Sequence, residues 1–252
     1  MASSGQASEP NISAAAVAGD GPVPLTHLLI LGPPRSGTTL LAAMISRHTE
    51  IGILNENKSW AMRQLLGKVV VGNKRCIPNQ IELKKRGRLS LRFFKTIGLA
   101  KEYQSSEYSI EDYLTLPNIK LLCLIRSGDD VISSIMKRGS KGFRIAAYRW
   151  RRAIEIIHYL NQTYPNSTLV VSFEELIMQP REMMERIATF LGVEYQERML
   201  EGPKYNPWYT ETGMDKAKVY RANRENIDFK LQERFPAVFR KYLSLVELGA
   251  RT

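Results

Sequence analysis

The sequence predicts an α/β fold of three layers, with a central parallel sheet between two layers of helices. Three observations lead there. Short apolar runs recur at residues 28–31, 119–125 and 168–171, and such runs suit strands buried on both faces. Stretches with helical periodicity alternate with them. A glycine-containing loop, residues 32–37, joins the first run to the first helical stretch.

The elements follow in order. Residues 1–24 are rich in Ala, Ser, Gly and Pro, with Glu9 and Asp20 as their only charged side chains, which predicts a disordered tail. They hold no basic segment leading into an apolar stretch of ~7–15 residues, so a secretory signal is not expected. Residues 28–31 form the first strand. After Gly32-Pro33-Pro34-Arg35-Ser36-Gly37, a helix runs over 38–48 with Leu41, Met44 and Ile45 on one face. Residues 119–125 form a second strand, and Ser127-Gly128-Asp129-Asp130 leads into a helix through Met136. Residues 143–160 are helical, with Tyr148, Ile154 and Ile157 near one face. A third strand covers 168–171, a helix over 181–191 stops at Gly192, and a terminal helix covers 235–246. No linker or repeat divides residues 25–252, so one domain is expected.

Composition narrows the class. The 252 residues are 44% hydrophobic, enough for a sizeable core. No apolar run approaches the ~18–20 residues of a membrane span. Two cysteines, Cys76 and Cys123, argue against a disulfide framework and suit a reducing compartment. The net charge of +11 points to an anionic partner. Residues 68–104 carry ten Lys or Arg against two acids, a local net charge of +8. That run is either a solvated surface or a positive wall beside an anion.

The loop carries the chemistry. Amides at a helix start lack carbonyl partners and favour a bound anion, and the helix dipole adds to this. Gly37 permits close approach of the backbone, and Thr38 and Thr39 add hydroxyl donors. The Gly-x4-Gly frame is that of a P-loop, but Thr38 stands where a nucleoside triphosphatase has Lys. The loop cation is instead Arg35, placed beside the group to be transferred.

On these residues the chain resembles the sulfotransferase family, whose donor is 3′-phosphoadenosine-5′-phosphosulfate. Arg35-Ser36-Gly37-Thr38-Thr39 is similar to the family's (Lys/Arg)-Ser-Gly-Thr-Thr loop, which holds the 5′-phosphosulfate. Arg126 closes a strand and Ser134 follows eight residues later, similar to the family's 3′-phosphate pair. A guanidinium fork and a hydroxyl suit a phosphate monoester, with Asp129 or Asp130 as rival partners for Arg126. Val171-Ser172-Phe173-Glu174-Glu175-Leu176, then Pro180, then Phe190-Leu191-Gly192 give a third match. There Phe173 replaces a tyrosine that contacts adenine in many members, keeping the ring without the hydroxyl. The matches run from about residue 27 to 195.

The resemblance also implies a base. His27, His48 and His158 do not fall where the cytosolic members place their histidine, and they are read as structural. Glu56 lies about twenty residues after the loop, as in the tyrosylprotein sulfotransferases. Gly72-Asn73-Lys74, the run from Ser134 to Arg138, and the run from Arg149 to Glu155 look similar to that branch, which bacterial sulfotransferases of unknown acceptor share. The implied roles are Glu56 as general base, its pKa raised by partial burial, with Arg35 and Lys74 stabilising charge on the sulfuryl group and the departing phosphate. Lys218 and Arg221 resemble a Lys-x-x-Arg segment that closes over the nucleotide.

The expected activity is therefore transfer of a sulfuryl group to a hydroxyl acceptor, leaving adenosine 3′,5′-bisphosphate and needing no metal. A protein tyrosine among acidic neighbours, a small phenol, an alcohol and a sugar all stay open as acceptors. Nucleic acid and membrane are not expected partners, a homodimer is compatible with the sequence, and the lack of an anchor favours the cytoplasm. A P-loop kinase or nucleoside triphosphatase is the competing enzyme, weakened by Thr38 and by the lack of a convincing strand-end aspartate for Mg²⁺. A non-enzymatic anion-binding protein would account for the basic run but not for the loop, Arg126, Ser134 and Glu56 together.

Overall fold

The computed structural model describes residues 25–58, 61–84, 108–139, 142–205 and 227–251. Five parallel strands form its sheet: β1 (Thr26–Gly32), β2 (Ile51–Asn55), β3 (Val70–Cys76), β4 (Ile119–Ile125) and β5 (Thr168–Ser172). Their order across the sheet is β2-β3-β1-β4-β5. The described helices are α1 (Thr38–Ile45), α2 (Ile110–Leu114), α3 (Gly128–Gly139), α4 (Phe143–Thr163), α5 (Phe173–Met178), α6 (Pro180–Leu191), α7 (Ile227–Arg234) and α8 (Pro236–Arg251).

The apolar runs alternate between two cores, as the two-residue period of a strand requires. Leu29, Leu31, Leu121, Cys123 and Ile125 face a cluster with Val131, Trp150, Ile154 and Tyr242, contributed by α3, α4 and α8. Leu28, Ile30, Leu122 and Leu124 face a second cluster with Leu41, Leu176, Met184 and Ile187, contributed by α1, α5 and α6. Burying each such side chain stabilises the fold by ~1.5–3 kcal/mol before entropy is subtracted.

This layering creates the site. The helix after β1 packs on one face and the helices after β4 pack on the other. A crevice therefore opens at the carboxyl ends of β1 and β4, the place where parallel sheets take ligands.

The three expected strands are present, with 119–125 matching β4 at both ends. Strands β2 and β3 are additions. Strand β3 carries Asn73, Lys74 and Arg75 in its middle, which hides it from an apolar pattern, yet all seven of its residues are buried. The first helix stops at Ile45 rather than at 48, because Arg47 and His48 turn back to the carbonyls of Met44 and Ile45. His48 then accepts from the Glu50 amide at 3.1 Å and donates to Glu194 O at 2.7 Å. His27 bonds Pro117 O at 2.8 Å, so both histidines are structural ties. Among the described residues no helix is long and apolar enough to cross a membrane. The tail 1–24 and most of the basic run, residues 85–104, lie outside the described residues.

Candidate active site

Strand β1 ends at Gly32, and the chain reaches α1 through two left-handed residues, Arg35 (φ 73°) and Gly37 (φ 101°). At a non-glycine residue this conformation costs ~1–2 kcal/mol. The loop offsets it with local bonds: Ser36 N and Oγ both donate to Pro33 O, at 3.1 and 2.7 Å. The first bond within α1 runs from Leu41 N to Gly37 O at 3.0 Å. The amides of Thr38, Thr39 and Leu40 precede it and have no carbonyl in the helix to receive them. Thr38 is buried and Thr39 half-buried on that first turn. This cradle fits a phosphate or sulfate group.

Arg126 leaves the end of β4 beside the loop. Its Nη1 donates to Arg35 O at 3.3 Å, and Arg35 Nε donates to Ser134 Oγ at 3.0 Å. The residues expected for the two ends of the donor thus form one hydrogen-bonded cluster. Asp130 also bonds the Arg126 guanidinium, at 3.0 Å to Nη2 and 3.3 Å to Nε, so the rival pairing is present as well. Trp150 is fully buried and donates its indole N–H to Arg126 O at 3.1 Å, which fixes the strand end. Glu174 accepts from Ser127 N at 3.1 Å. Burial pushes the Glu174 carboxyl above its ordinary range, against the pull of that amide and of Arg126.

The Phe173 ring is 6% exposed and lies beneath Arg126, 4.0 Å from the guanidinium carbon to the ring centre. Its edge abuts Gly37 so closely that a Cβ there would stand 2.5 Å from Phe173 Cδ2. The ring is a prop between the loop and Arg126.

The third group lies at the ends of β2 and β3. Lys74 is 1% exposed, and its Nζ bonds Glu56 Oε1 at 2.5 Å. The same Nζ lies 3.8 Å from Cys76 Sγ, itself 3.8 Å from Thr38 Oγ1, so this pair adjoins the phosphate cradle. Burial raises the Cys76 thiol above its ordinary value. The partial burial expected for Glu56 is not found: its side chain is 43% exposed, because it lies just past the end of an edge strand. Its environment is set by Lys74 instead. Lys218 and Arg221 lie outside the described residues.

Sequence reasoning also missed the frame around Glu56. Arg75 Nη1 donates to Glu56 O at 3.1 Å and to Asn57 O at 2.6 Å, while its Nη2 donates to Gln80 O at 2.5 Å. Burial lowers the Arg75 guanidinium from its ordinary value, against Tyr113 and Glu56 nearby. Asn73 bonds both the amide and the carbonyl of Asn57, at 3.2 and 2.8 Å, and donates to Tyr113 Oη at 3.1 Å. Three consecutive polar residues between apolar ones were the available signal. Among the described residues no three His, Cys, Asp or Glu side chains gather as a metal site.

Comparison with known proteins gives one family. The sulfotransferase domain model matches residues 25–240. A protein-tyrosine sulfotransferase of Drosophila melanogaster is 27% identical over 218 residues, covering 71% of this chain and 40% of its own. Protein-tyrosine sulfotransferase 2 of Gallus gallus is 28% identical over 196 residues, covering 69% of this chain and 53% of its own. The chain thus spans about half, or less, of the length of these relatives. Among solved structures, the sulfotransferase domain of the Synechococcus olefin synthase superposes with a TM-score of 0.52 at 19% identity, covering 86% of this chain and 97% of that one. A mouse sulfotransferase complexed with PAP has a TM-score of 0.50 at 13% identity, covering 90% and 89%. At these identities the structures share the fold.

Proposed function

The chain belongs to the sulfotransferase domain family, and on that footing we propose that it moves a sulfuryl group from 3′-phosphoadenosine-5′-phosphosulfate to a hydroxyl acceptor. The observation that carries the reading is the joined cluster of Arg35, Arg126 and Ser134 at the mouth of the phosphate cradle. It brings two cations and a hydroxyl to the crevice between β1 and β4. A donor with phosphate at both ends of its ribose needs that pairing, whereas a nucleoside triphosphate needs a lysine at position 38.

The donor supplies an activated sulfuryl group, which passes from its 5′-phosphate oxygen to the acceptor oxygen. The loop amides and Thr38 hold the phosphosulfate end, and Arg126 and Ser134 hold the 3′-phosphate. Glu56 takes the acceptor's proton. A free carboxylate near ~4.3 is a weak base toward a phenol near ~10, so the proton moves as the new S–O bond forms. Lys74 and Arg35 face the charge left on the departing oxygen, and positioned charge of this kind supplies much of the rate in group transfer. Lys218 and Arg221 are further candidates for contact with the nucleotide.

For the acceptor we favour a protein tyrosine among acidic residues. The names of the relatives and the net +8 of residues 68–104 support this choice. We propose the cytoplasm as its compartment, because Cys76 and Cys123 are both free and suit a reducing environment. The test is transfer of labelled sulfate to a panel of a tyrosine peptide with acidic flanks, a small phenol, an aliphatic alcohol and a sugar. Labelling of the peptide above the others supports the whole reading. Labelling of another member corrects the acceptor alone, and labelling of none, with label retained on intact donor, overturns the reading.

A further inference from the structure

We infer that Arg75, together with Asn73, is a positioning residue that fixes where the Glu56 carboxylate stands. The inference rests on the reading of Glu56 as the base. Glu56 is exposed, lies past the end of an edge strand and has a left-handed backbone (φ 60°), so nothing in its own local structure holds it. The hold comes from β3. Glu56 N donates to Lys74 O at 2.9 Å, and Glu56 O accepts from Arg75 at 3.1 Å. Asn57 N donates to Asn73 Oδ1 at 3.2 Å, and Asn57 O accepts from Arg75 at 2.6 Å and from Asn73 at 2.8 Å. Every main-chain polar group of the two-residue turn is thereby taken by residues 73–75.

The pleat explains why three consecutive residues are needed. Side chains alternate along a strand, so Lys74 points to one face and Asn73 and Arg75 to the other. Lys74 meets Cys76, which in turn meets Thr38 on the α1 side, while Asn73 bonds Tyr113 on the opposite side. The turn is gripped from both faces of the sheet: Lys74 holds the carboxylate, and Arg75 and Asn73 hold the backbone that carries it. Burying a guanidinium is costly unless its donors are used. Arg75 is 2% exposed; its Nη1 serves the carbonyls of Glu56 and Asn57 and its Nη2 that of Gln80, while its buried Nε has no hydrogen-bond partner. That arrangement makes it a fixed fork under the turn.

The test is a double-mutant cycle in the full chain, using the fastest acceptor of the panel. Arg75→Met is expected to lower kcat roughly a hundredfold, the effect of misplacing a reacting group by about 1 Å. Its affinity for adenosine 3′,5′-bisphosphate should stay unchanged. In a Glu56→Gln background it should cause no further loss, because its effect runs through Glu56. Amide exchange gives a readout without turnover: Arg75→Met should speed exchange at Asn57 while leaving Ile125 unchanged. Asn73→Ser, read in the same way, serves if Arg75→Met does not fold. Full kcat in the folded variant, equal losses in both backgrounds, or unchanged exchange at Asn57 overturns the inference. Full activity of Glu56→Gln instead overturns the reading of the base, and the exchange result then decides the grip on its own.

Discussion

Replacing Gly37 by alanine tests the link between the loop and Arg126 through two separable costs. The backbone there has φ 101°, a conformation costing an L-residue ~1–3 kcal/mol. The new Cβ would also stand 2.5 Å from Phe173 Cδ2 and 2.7 Å from Cε2, forcing the ring to move. Overpacking of this kind costs a further ~1–3 kcal/mol. Together they give a destabilisation of roughly 2–6 kcal/mol, and at about 2–4 °C per kcal/mol for a domain this size, a fall in Tm of roughly 4–24 °C. Displacing Phe173 also removes the support under Arg126, so bisphosphate affinity should fall with stability. Gly192→Ala is the matched control. It has φ 74° and nothing within 4 Å of the added Cβ, so only strain of ~1–2 kcal/mol applies and affinity is untouched. Adding Phe173→Leu to Gly37→Ala should recover part of the loss. Thermal unfolding and calorimetry read both effects. If Gly37→Ala and Gly192→Ala behave alike, the contact with Phe173 has no energetic role and the reasoning fails.

The Glu56–Lys74 pair is asymmetric, and so should be its variants. Glu56→Ala leaves an ammonium that is 1% exposed without its carboxylate and should cost ~1–3 kcal/mol, below the ~3–5 of a fully buried pair. Lys74→Met leaves a carboxylate that water can reach and should cost about 1 kcal/mol or less, while transfer still falls by ~10²–10³. Paired unfolding curves and kcat values check this, and a larger stability loss for Lys74→Met would contradict it. Glu174 predicts a pH effect. Burial raises its folded value, so its stabilising contribution is complete while it is protonated, below the ordinary 4.5, and is lost as pH rises through the raised value. Glu174→Gln should therefore raise Tm at pH 7, with a gap that closes on acidification. A gap that widens as pH falls would refute the assignment.

The parts of this protein that were legible from sequence share one property: their residues are neighbours in the chain. The β4 run and the loop from Gly32 to Thr39 announce themselves by local pattern, because an apolar strand and a helix-start cradle are local solutions. The helix end at Gly192 follows from its left-handed geometry. Arg126 and Ser134 were readable through their spacing on a strand end and the next helix. What stayed hidden depends on register between strands. Strand β3 reads as a polar segment until β2 and β1 flank it, pairing Asn55 and Ile30 with Lys74. Only then do Asn73 and Arg75 meet the main chain of Glu56 and Asn57, and only then is a buried Asn-Lys-Arg run tolerable. The seat of Phe173 stayed hidden for the same reason. Its neighbours Gly37 and Arg126 come from the loop after β1 and the end of β4.

The central claim is that the loop and Arg126 form a single site for a nucleotide phosphorylated at both the 3′ and 5′ positions. Titration calorimetry with adenosine 3′,5′-bisphosphate, and separately with ATP and Mg²⁺, tests it most directly. The account predicts tight binding of the bisphosphate, lost in Arg126→Met as a part-buried charge-assisted contact disappears. Tight binding of ATP with Mg²⁺ and none of the bisphosphate, or bisphosphate binding indifferent to Arg126, would contradict it.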